Sequence, residues 1–361
     1  MKIFVNGRFL TQRMTGVQRY ALELVKHWDE LLDRSEQVGG AEVTILAPPN
    51  RIYEPELKRI KLREIGGFGG HAWEQLVLPL HARGGHLINL CNTGPLLKRK
   101  QIVTIHDMAV FEHPESFSWL FRFAYRIIQR TVGRTSRRIV TISQFSKSQL
   151  MKHCRVSESK IDVISLGLEH MERLSPDRTI LETHGFANKS YILAVGSMDP
   201  RKNFLNVAKA IELLSEADYD VVVAGGTNAK VFGTSPMPSS ARLKWIGYVT
   251  DEQLKALYEG AACFVFPSVY EGFGLPPLEA MACGAPVIVA RSSSLPEVCG
   301  EATEYCDPDN PTDIAACIER VMVDAELRER LTARGLERAS RYRWDRCARE
   351  TWEVVKEVAL T

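Results

Sequence analysis

The sequence predicts an α/β protein made of two doubly wound parallel-sheet domains. Three observations predict it. Short apolar strands alternate with helical patterns along the chain, as expected of parallel sheets covered by helices on both faces. The length of 361 residues suffices for two domains of ordinary size. The alternation breaks over residues 165–190, where Gly167, Pro176 and Gly185 read as a connection. The expected division is a domain over 1–168, a linker over 169–184 and a second domain over 185–343, the two domains facing across a cleft.

Taken in order, the first series of strands is Ile3–Val5, Val43–Ala47, Leu87–Leu90, Ile102–Ile105, Ile139–Ile142 and Ile161–Ile164. The second is Tyr191–Val195, Val221–Ala224, Trp245–Ile246, Cys263–Phe266 and Val287–Val289. Thr250 and Gln253 have the spacing of a capping box. Leu278–Cys283 is a helix-compatible run: Pro276 and Pro277 suit its first turn, Gly284 a left-handed C′ position, and Pro286 stops continuation. Residues 344–358, with Trp344, Trp352, Val354 and Val355, read as a helix in need of a docking surface.

Composition narrows the function. With 45% hydrophobic and 25% charged residues the chain is of the ordinary globular type. A net charge of +2 gives no global pull toward nucleic acid. The eight cysteines are scattered singly, which suits reduced thiols in the cytoplasm better than a disulfide frame or a zinc site. Met1–Gly7 reads as a strand and a glycine rather than a signal peptide, and no apolar run reaches the ~18 residues of a membrane span.

The most informative stretch is Glu271-Gly272-Phe273-Gly274-Leu275-Pro276-Pro277-Leu278-Glu279. A glycine loop feeding a helix start offers backbone N–H groups and the positive end of the helix dipole to a phosphate. Carboxylates repel phosphate, so the two glutamates face something else. Glu279, on the first turn, suits a diol such as a ribose. Glu271 lies nearer the other end of a bound molecule. A ligand carrying a diol, a diphosphate and a further polyol in a row is a nucleotide sugar.

Other candidates sit where open α/β sheets bind ligands, beyond the carboxyl ends of strands. Tyr191–Val195 is followed by Gly196-Ser197-Met198-Asp199-Pro200-Arg201-Lys202-Asn203, in which Arg201 and Lys202 suit a departing diphosphate or an exposed helix start. His106 ends the 102–105 strand and could hydrogen-bond a sugar, although a structural role weighs more for a lone histidine. Gly16 opens the first helix as a turn glycine or a phosphate-facing backbone. The backbone of Tyr248 and Val249 could carry a base edge. Asp307-Pro308-Asp309 reads as a turn rather than a metal site. Loops 64–75 and 226–241 are expected to set specificity. No His-Glu-x-x-His, nucleophile elbow or Walker loop occurs.

Between Ser116 and Ser157 there is no Asp or Glu, and nine residues are Arg or Lys. Arg122, Arg126, Arg130, Arg134 and Arg138 recur every fourth residue among Trp119, Phe121, Phe123, Tyr125, Ile127 and Ile128. This pattern fits a basic amphipathic helix docking on anionic lipid, or equally a core-facing helix with a solvated cationic back.

The Gly196…Pro200-Arg201-Lys202-Asn203 segment, the Glu271–Ala280 segment and Gly284-Ala285-Pro286-Val287 together resemble the family 4 retaining glycosyltransferases, mannosyltransferase-like members among them. Thr15-Gly16-Val17-Gln18-Arg19-Tyr20 and His106-Asp107 fit as well. The resemblance implies a GT-B fold of two Rossmann-like domains, the donor mostly on the second and the acceptor mostly on the first. It implies that a closing helix, 344–361 here, returns to the first domain. It also implies retention of configuration with no metal and no cofactor beyond the nucleotide sugar. By position, Glu279 would hold the ribose, and Arg201 with Lys202 the diphosphate. Glu271 and the Gly272–Gly274 amides would hold the sugar and phosphate, and His106 would touch the sugar near the reacting carbon. Gly196, Ser197, Phe273 and Leu275 belong to the same donor surface. Many members carry an arginine where Ser197 stands, so Arg201 is expected to supply that charge.

The expected function is hexosyl transfer from a nucleotide-diphosphate sugar, GDP-mannose favoured, to a saccharide or lipid-linked oligosaccharide in surface polysaccharide (O-antigen, lipopolysaccharide) synthesis. The expected location is the cytoplasm, peripheral on the inner face of the plasma membrane. The alternatives are a nucleotide-sugar epimerase of the same fold and a non-catalytic partner subunit.

Overall fold

The computed structural model describes residues 1–34, 40–187, 189–214, 219–226 and 242–360. It contains two parallel sheets. The first comprises β1 (Lys2–Asn6), β2 (Glu42–Ala47), β3 (Lys61–Glu64), β4 (His86–Asn89), β5 (Gln101–Thr104), β6 (Arg138–Thr141) and β7 (Ile161–Val163), in the order β3-β2-β1-β4-β5-β6-β7. The second comprises β8 (Tyr191–Val195), β9 (Asp220–Ala224), β10 (Leu243–Gly247), β11 (Cys263–Phe266), β12 (Val287–Ala290) and β13 (Glu304–Cys306), in the order β10-β9-β8-β11-β12-β13. All pairings are parallel.

Both sheets grow outward from their first strand, return, and grow the other way. The winding therefore reverses between β1 and β4 in one sheet and between β8 and β11 in the other. Crevices at such switch points are where open α/β sheets bind ligands. The central strands are apolar on both faces: Ile3, Val5, Leu87 and Ile88 in the first sheet, and Ile192, Leu193, Phe264 and Val265 in the second, are fully buried. Two outermost strands escaped the sequence pattern. β3 reads Lys-Leu-Arg-Glu and is mostly exposed, and β13 has only three residues. Charge and brevity blunt a sheet edge and also erase the apolar signal of a strand.

The chain divides into two compact units, 1–111 with 123–167 and 343–361, and 112–122 with 168–342. The stretch expected as a linker, 169–184, instead carries the helices Glu169–Arg173 and Thr179–Thr183 and belongs to the second unit. Tertiary bonds order it: Lys255 Nζ donates to the carbonyls of Met171 and Leu174, both at 2.9 Å, and the Asp177 N–H donates to Glu252 O at 3.0 Å. The closing helix Trp344–Leu360 packs in the first unit on Gly16–Arg34. There Trp28 Nε1 donates to Ala348 O at 2.9 Å and stacks at a tilt on Trp352.

The arginine-rich segment forms one helix, Trp119–Thr135, which ends before Arg138 enters β6. Three of its arginines bond back to backbone carbonyls, although Arg130 and Arg134 remain exposed. Arg126 Nε donates to Val110 O at 3.1 Å, Arg130 Nε to His153 O at 3.2 Å and Arg134 Nε to Cys154 O at 2.8 Å. Arg126 and Arg130 also lie over the Phe111 ring, and Arg122 is half-buried. Trp119 and Phe123 are instead 72% and 62% exposed, with Leu120 and Ile127 also outward. No helix among the described residues is long and apolar enough to cross a membrane. The eight cysteines form no disulfide, and six are buried. Of the expected specificity loops, residues 227–241 lie outside the described residues.

Candidate functional site

The second sheet's switch point is built from the loops after β8 and β11. After β11 the chain runs through Ser268 and Glu271 to Gly274, whose φ of 109° is a conformation that glycine adopts without a side-chain clash. Helix Leu275–Ala282 starts there, with prolines in its first turn and Gly284 (φ 81°) just past its end. Its first N–H groups have no partner within the helix and face the loop. Phe273 and Leu275 are buried, Phe273 edge-on to Tyr342, so these two residues offer backbone rather than side chain.

The loop after β8 supplies the cations. Arg201 and Lys202 stand on a single 3-10 turn, Pro200–Lys202, rather than on the following helix, Phe204–Leu213. The two loops are tied together, since Arg201 O accepts from Val269 N at 2.9 Å and lies 3.0 Å from Ser268 Oγ. Lys202 Nζ lies 2.6 Å from Glu271 Oε1 and over the Phe266 ring. Ser268 Oγ donates to the same carboxylate oxygen at 2.5 Å. Arg201 Nε donates to Asp199 Oδ2 at 2.9 Å, and the guanidinium lies over Phe117. Both cations are thus held by carboxylates, half-buried, at the strand ends. Ser293 and Ser294 pin the Glu271 loop from below: Glu271 N donates to Ser293 Oγ at 2.9 Å, and the single Ser294 hydroxyl hydrogen is shared between Glu271 O and Phe273 O, each 2.9 Å from Oγ.

Glu279 lies in the same helix, buried, its carboxylate held on two sides. His170 Nε2 is 2.9 Å from Oε1 and Tyr258 Oη donates to Oε2 at 3.2 Å. Burial and the Glu279 charge push the Tyr258 phenol well above its ordinary pKa, so it remains a donor. A carboxylate held on two sides in this way has a fixed orientation.

The remaining expected residues divide between surface and core. Gly196 extends β8, its N–H donating to Ala224 O at 3.0 Å. Gly225 passes so close that a Cβ there would lie 1.8 Å from Gly196 O. Ser197 is half-buried; Tyr248, just past β10, is exposed and Val249 half-buried. In the first unit Gly16 is exposed at the start of its helix. His106 is only 4% exposed. Its Nε2 lies 2.9 Å from Leu90 O and its ring packs edge-on against Tyr20. The carbonyl assigns the hydrogen to Nε2, and burial lowers the pKa, so the ring is neutral. This geometry supports a structural role and favours it over a sugar contact.

Sequence reasoning found Arg201, Lys202, Glu271 and Glu279 but missed Asp199, His170, Tyr258, Ser268, Ser293 and Ser294, which hold them. Asp199 caps the turn two residues before Arg201 and was within reach of a capping argument. Ser268 lies in the Glu271 loop itself, and His170, Tyr258, Ser293 and Ser294 come from distant segments. Among the described residues there is no group of three or more His, Cys, Asp or Glu able to hold a metal ion.

Comparison with known proteins places the chain in a family. The model described as "Glycosyltransferase Family 4" matches residues 14–171, and that described as "Glycosyl transferases group 1" matches residues 177–338. The chain is 32% identical to O-antigen chain mannosyltransferase B of Escherichia coli, over 99% of this chain and 100% of that protein. It is 27% identical to the O-antigen chain mannosyltransferase RfbU of Salmonella typhimurium, over 88% and 90%. Among solved structures, the sucrose-phosphate synthase of Thermosynechococcus elongatus superposes with a TM-score of 0.76 at 16% identity, over 99% and 98% of the two chains. The fold, two Rossmann-like parallel-sheet units, is that of the GT-B glycosyltransferases. The chain belongs to the family 4 glycosyltransferases.

Proposed function

We propose that this glycosyltransferase moves mannose from GDP-mannose, with retention, to a saccharide or lipid-linked oligosaccharide during surface polysaccharide synthesis. The observation that carries the reading is the second sheet's switch point. Two cations and two carboxylates stand there beside the loop and helix start that would receive a diphosphate. The mannosyl assignment is supported by full-length relatives named as O-antigen mannosyltransferases. The same relatives favour a transferase over an epimerase or a non-catalytic subunit.

Glu279 accepts from the ribose diol, and Arg201 and Lys202 bind the diphosphate. Glu271 accepts from sugar hydroxyls while keeping Lys202 oriented. The Gly272–Gly274 amides contact phosphate and sugar. The acceptor oxygen attacks the anomeric carbon on the face of the leaving group, the bond to the diphosphate oxygen breaks, and the acceptor proton passes to that oxygen. Positioning and leaving-group stabilisation supply the rate. Because side-chain cations already stand at the leaving group, no metal is required, and turnover is expected to survive EDTA unchanged. The test is a thermal-shift series with GDP, UDP, ADP and CDP. Selective stabilisation by GDP supports the donor, and a preference for another base replaces it.

Membrane contact at the inner face of the plasma membrane is part of the same proposal. It rests on Trp119, Leu120, Phe123 and Ile127, exposed on one helix, with Arg122, Arg126 and Arg130 at their flank. Because Arg126 and Arg130 bond back to carbonyls, Trp119→Ser with Phe123→Ser should weaken liposome co-sedimentation more than arginine substitutions do. Equal loss, or none, removes the idea.

A further inference from the structure

Three consecutive serines follow β12 and close on the Glu271 loop. Ser292 Oγ donates to Ser268 O at 2.7 Å, Ser293 Oγ accepts from Glu271 N at 2.9 Å, and Ser294 Oγ lies 2.9 Å from both Glu271 O and Phe273 O. Neighbouring side chains of an extended chain point to opposite faces, so three in a row reach one loop only where the backbone turns. Leu295 N donates to Ser292 O at 3.1 Å, which closes a four-residue turn with Ser293 and Ser294 at its centre. Ser293 has φ 50°, and Ser294 has φ −81° and ψ −10°. A hydrogen-bonded turn in which only the first central residue has positive φ is of type II′, and that position favours glycine.

Among the described residues, four other than glycine have positive φ: Asn92, Arg155, Asn203 and Ser293. Asparagine tolerates the left-handed region, and Arg155 closes the helix Gln144–Cys154, where helices commonly turn left-handed. Ser293 has neither reason. Such a conformation is costly for a residue with a side chain, and it persists where function or packing demands it. Ser293 is half-buried, and among the described residues its side chain bonds only to the Glu271 amide. Glu271 in turn holds Lys202 Nζ, 2.6 Å from its carboxylate. The hydroxyl therefore fixes the backbone from which that carboxylate reaches the lysine. Glycine would suit the turn better but would leave the amide without its acceptor.

We propose that Ser293 is a positioning residue of the donor site, a serine kept in a glycine conformation so that its hydroxyl anchors the Glu271 amide and, through Glu271, sets Lys202 for the diphosphate. The ligand class rests on the transferase reading; the strained anchor rests on the turn and its hydrogen bond.

The test compares the full-length parent with Ser293→Ala and Ser293→Gly. Alanine keeps the strain and loses the hydroxyl, whereas glycine loses both. The glycine variant should therefore unfold at a urea midpoint about 0.5 M above that of the alanine variant. Calorimetric titrations with GDP and GMP then read the second phosphate. In both variants the preference for GDP over GMP is expected to fall about three- to tenfold, the worth of one well-placed hydrogen bond, with GMP affinity within about twofold of the parent. Should the parent bind UDP, ADP or CDP more tightly, that nucleotide and its monophosphate replace GDP and GMP. A purely structural residue would leave the preference intact in the relaxed glycine variant. That result overturns the proposal, and so does a glycine variant no more stable than the alanine variant. Lys202→Ala, titrated alongside, separates the anchor from the donor reading. If Lys202→Ala loses the preference and both Ser293 variants keep it, the anchor falls and the donor reading stands. A parent that binds mono- and diphosphate alike, or a Lys202→Ala protein with the parent's preference, removes the diphosphate assignment and the anchor's role with it.

Discussion

The two switch points solve one geometric problem with opposite chemistry. Between β1 and β4 the charges are sealed: Arg8 and Glu74 are buried and bonded to side chains. Between β8 and β11 the charges are half-open: Lys202 and Glu271 keep side-chain exposures of 17% and 14%, and backbone amides stand beside them. A sealed network holds its side chains in one arrangement. A half-open one can exchange its internal carboxylates for a diphosphate, because little desolvation remains to be overcome. The first arrangement should therefore register changes mainly as stability, the second mainly as turnover and affinity.

The largest expected effect tests the sealed side. Glu74→Ala leaves the Arg8 guanidinium buried without its counter-charge, which should cost about 3–5 kcal/mol, read as a fall in the urea midpoint. A midpoint within experimental error of the parent would mean that the network is not sealed. Next comes Lys202→Ala on the open side. Turnover should fall about 10²–10³-fold, as for loss of one transition-state charge contact, while the urea midpoint barely moves. An equal loss of stability would erase the contrast.

Acid unfolding sharpens it further. Burial acts to raise the Glu74 pKa, but the Arg8 charge and the bonds from His71 and Asn6 outweigh it and hold the carboxyl at about 2. Arg8, His71, Tyr125 and Cys91 are the charged or titratable groups that face this network. With a folded pKa below the unfolded value near ~4.3, the stabilisation is complete above that value and is lost as pH falls toward 2. It amounts to about 3 kcal/mol, and Glu74→Gln should flatten that part of the profile. The smallest effect is that of Glu279→Ala, a rise of about tenfold in the donor KM with kcat little changed.

How much of this was legible follows the same contrast. The second site announces itself because its glycines, prolines and glutamates lie within Glu271–Gly284, where each residue type has a local reason. The apolar strands were legible for the same reason, whereas β3 and β13 were not, because edges trade apolar character for charge or brevity. The first network is assembled from residues 6, 8, 71, 74, 89, 93 and 125. No short stretch of sequence contains a pair of them that looks like chemistry. Attention to strand ends would have reached Asn6 and Arg8, but only the fold brings Glu74 to them. His106 shows the converse: it sits at a strand end, yet its imidazole is spent on Leu90.

Calorimetric titration of GDP into the parent, Lys202→Ala and Glu279→Ala proteins tests most directly the claim that a nucleoside diphosphate occupies the β8–β11 switch point. The account predicts saturable one-site binding by the parent and affinity about tenfold or more weaker in each variant. Equal GDP affinity in all three proteins would contradict it.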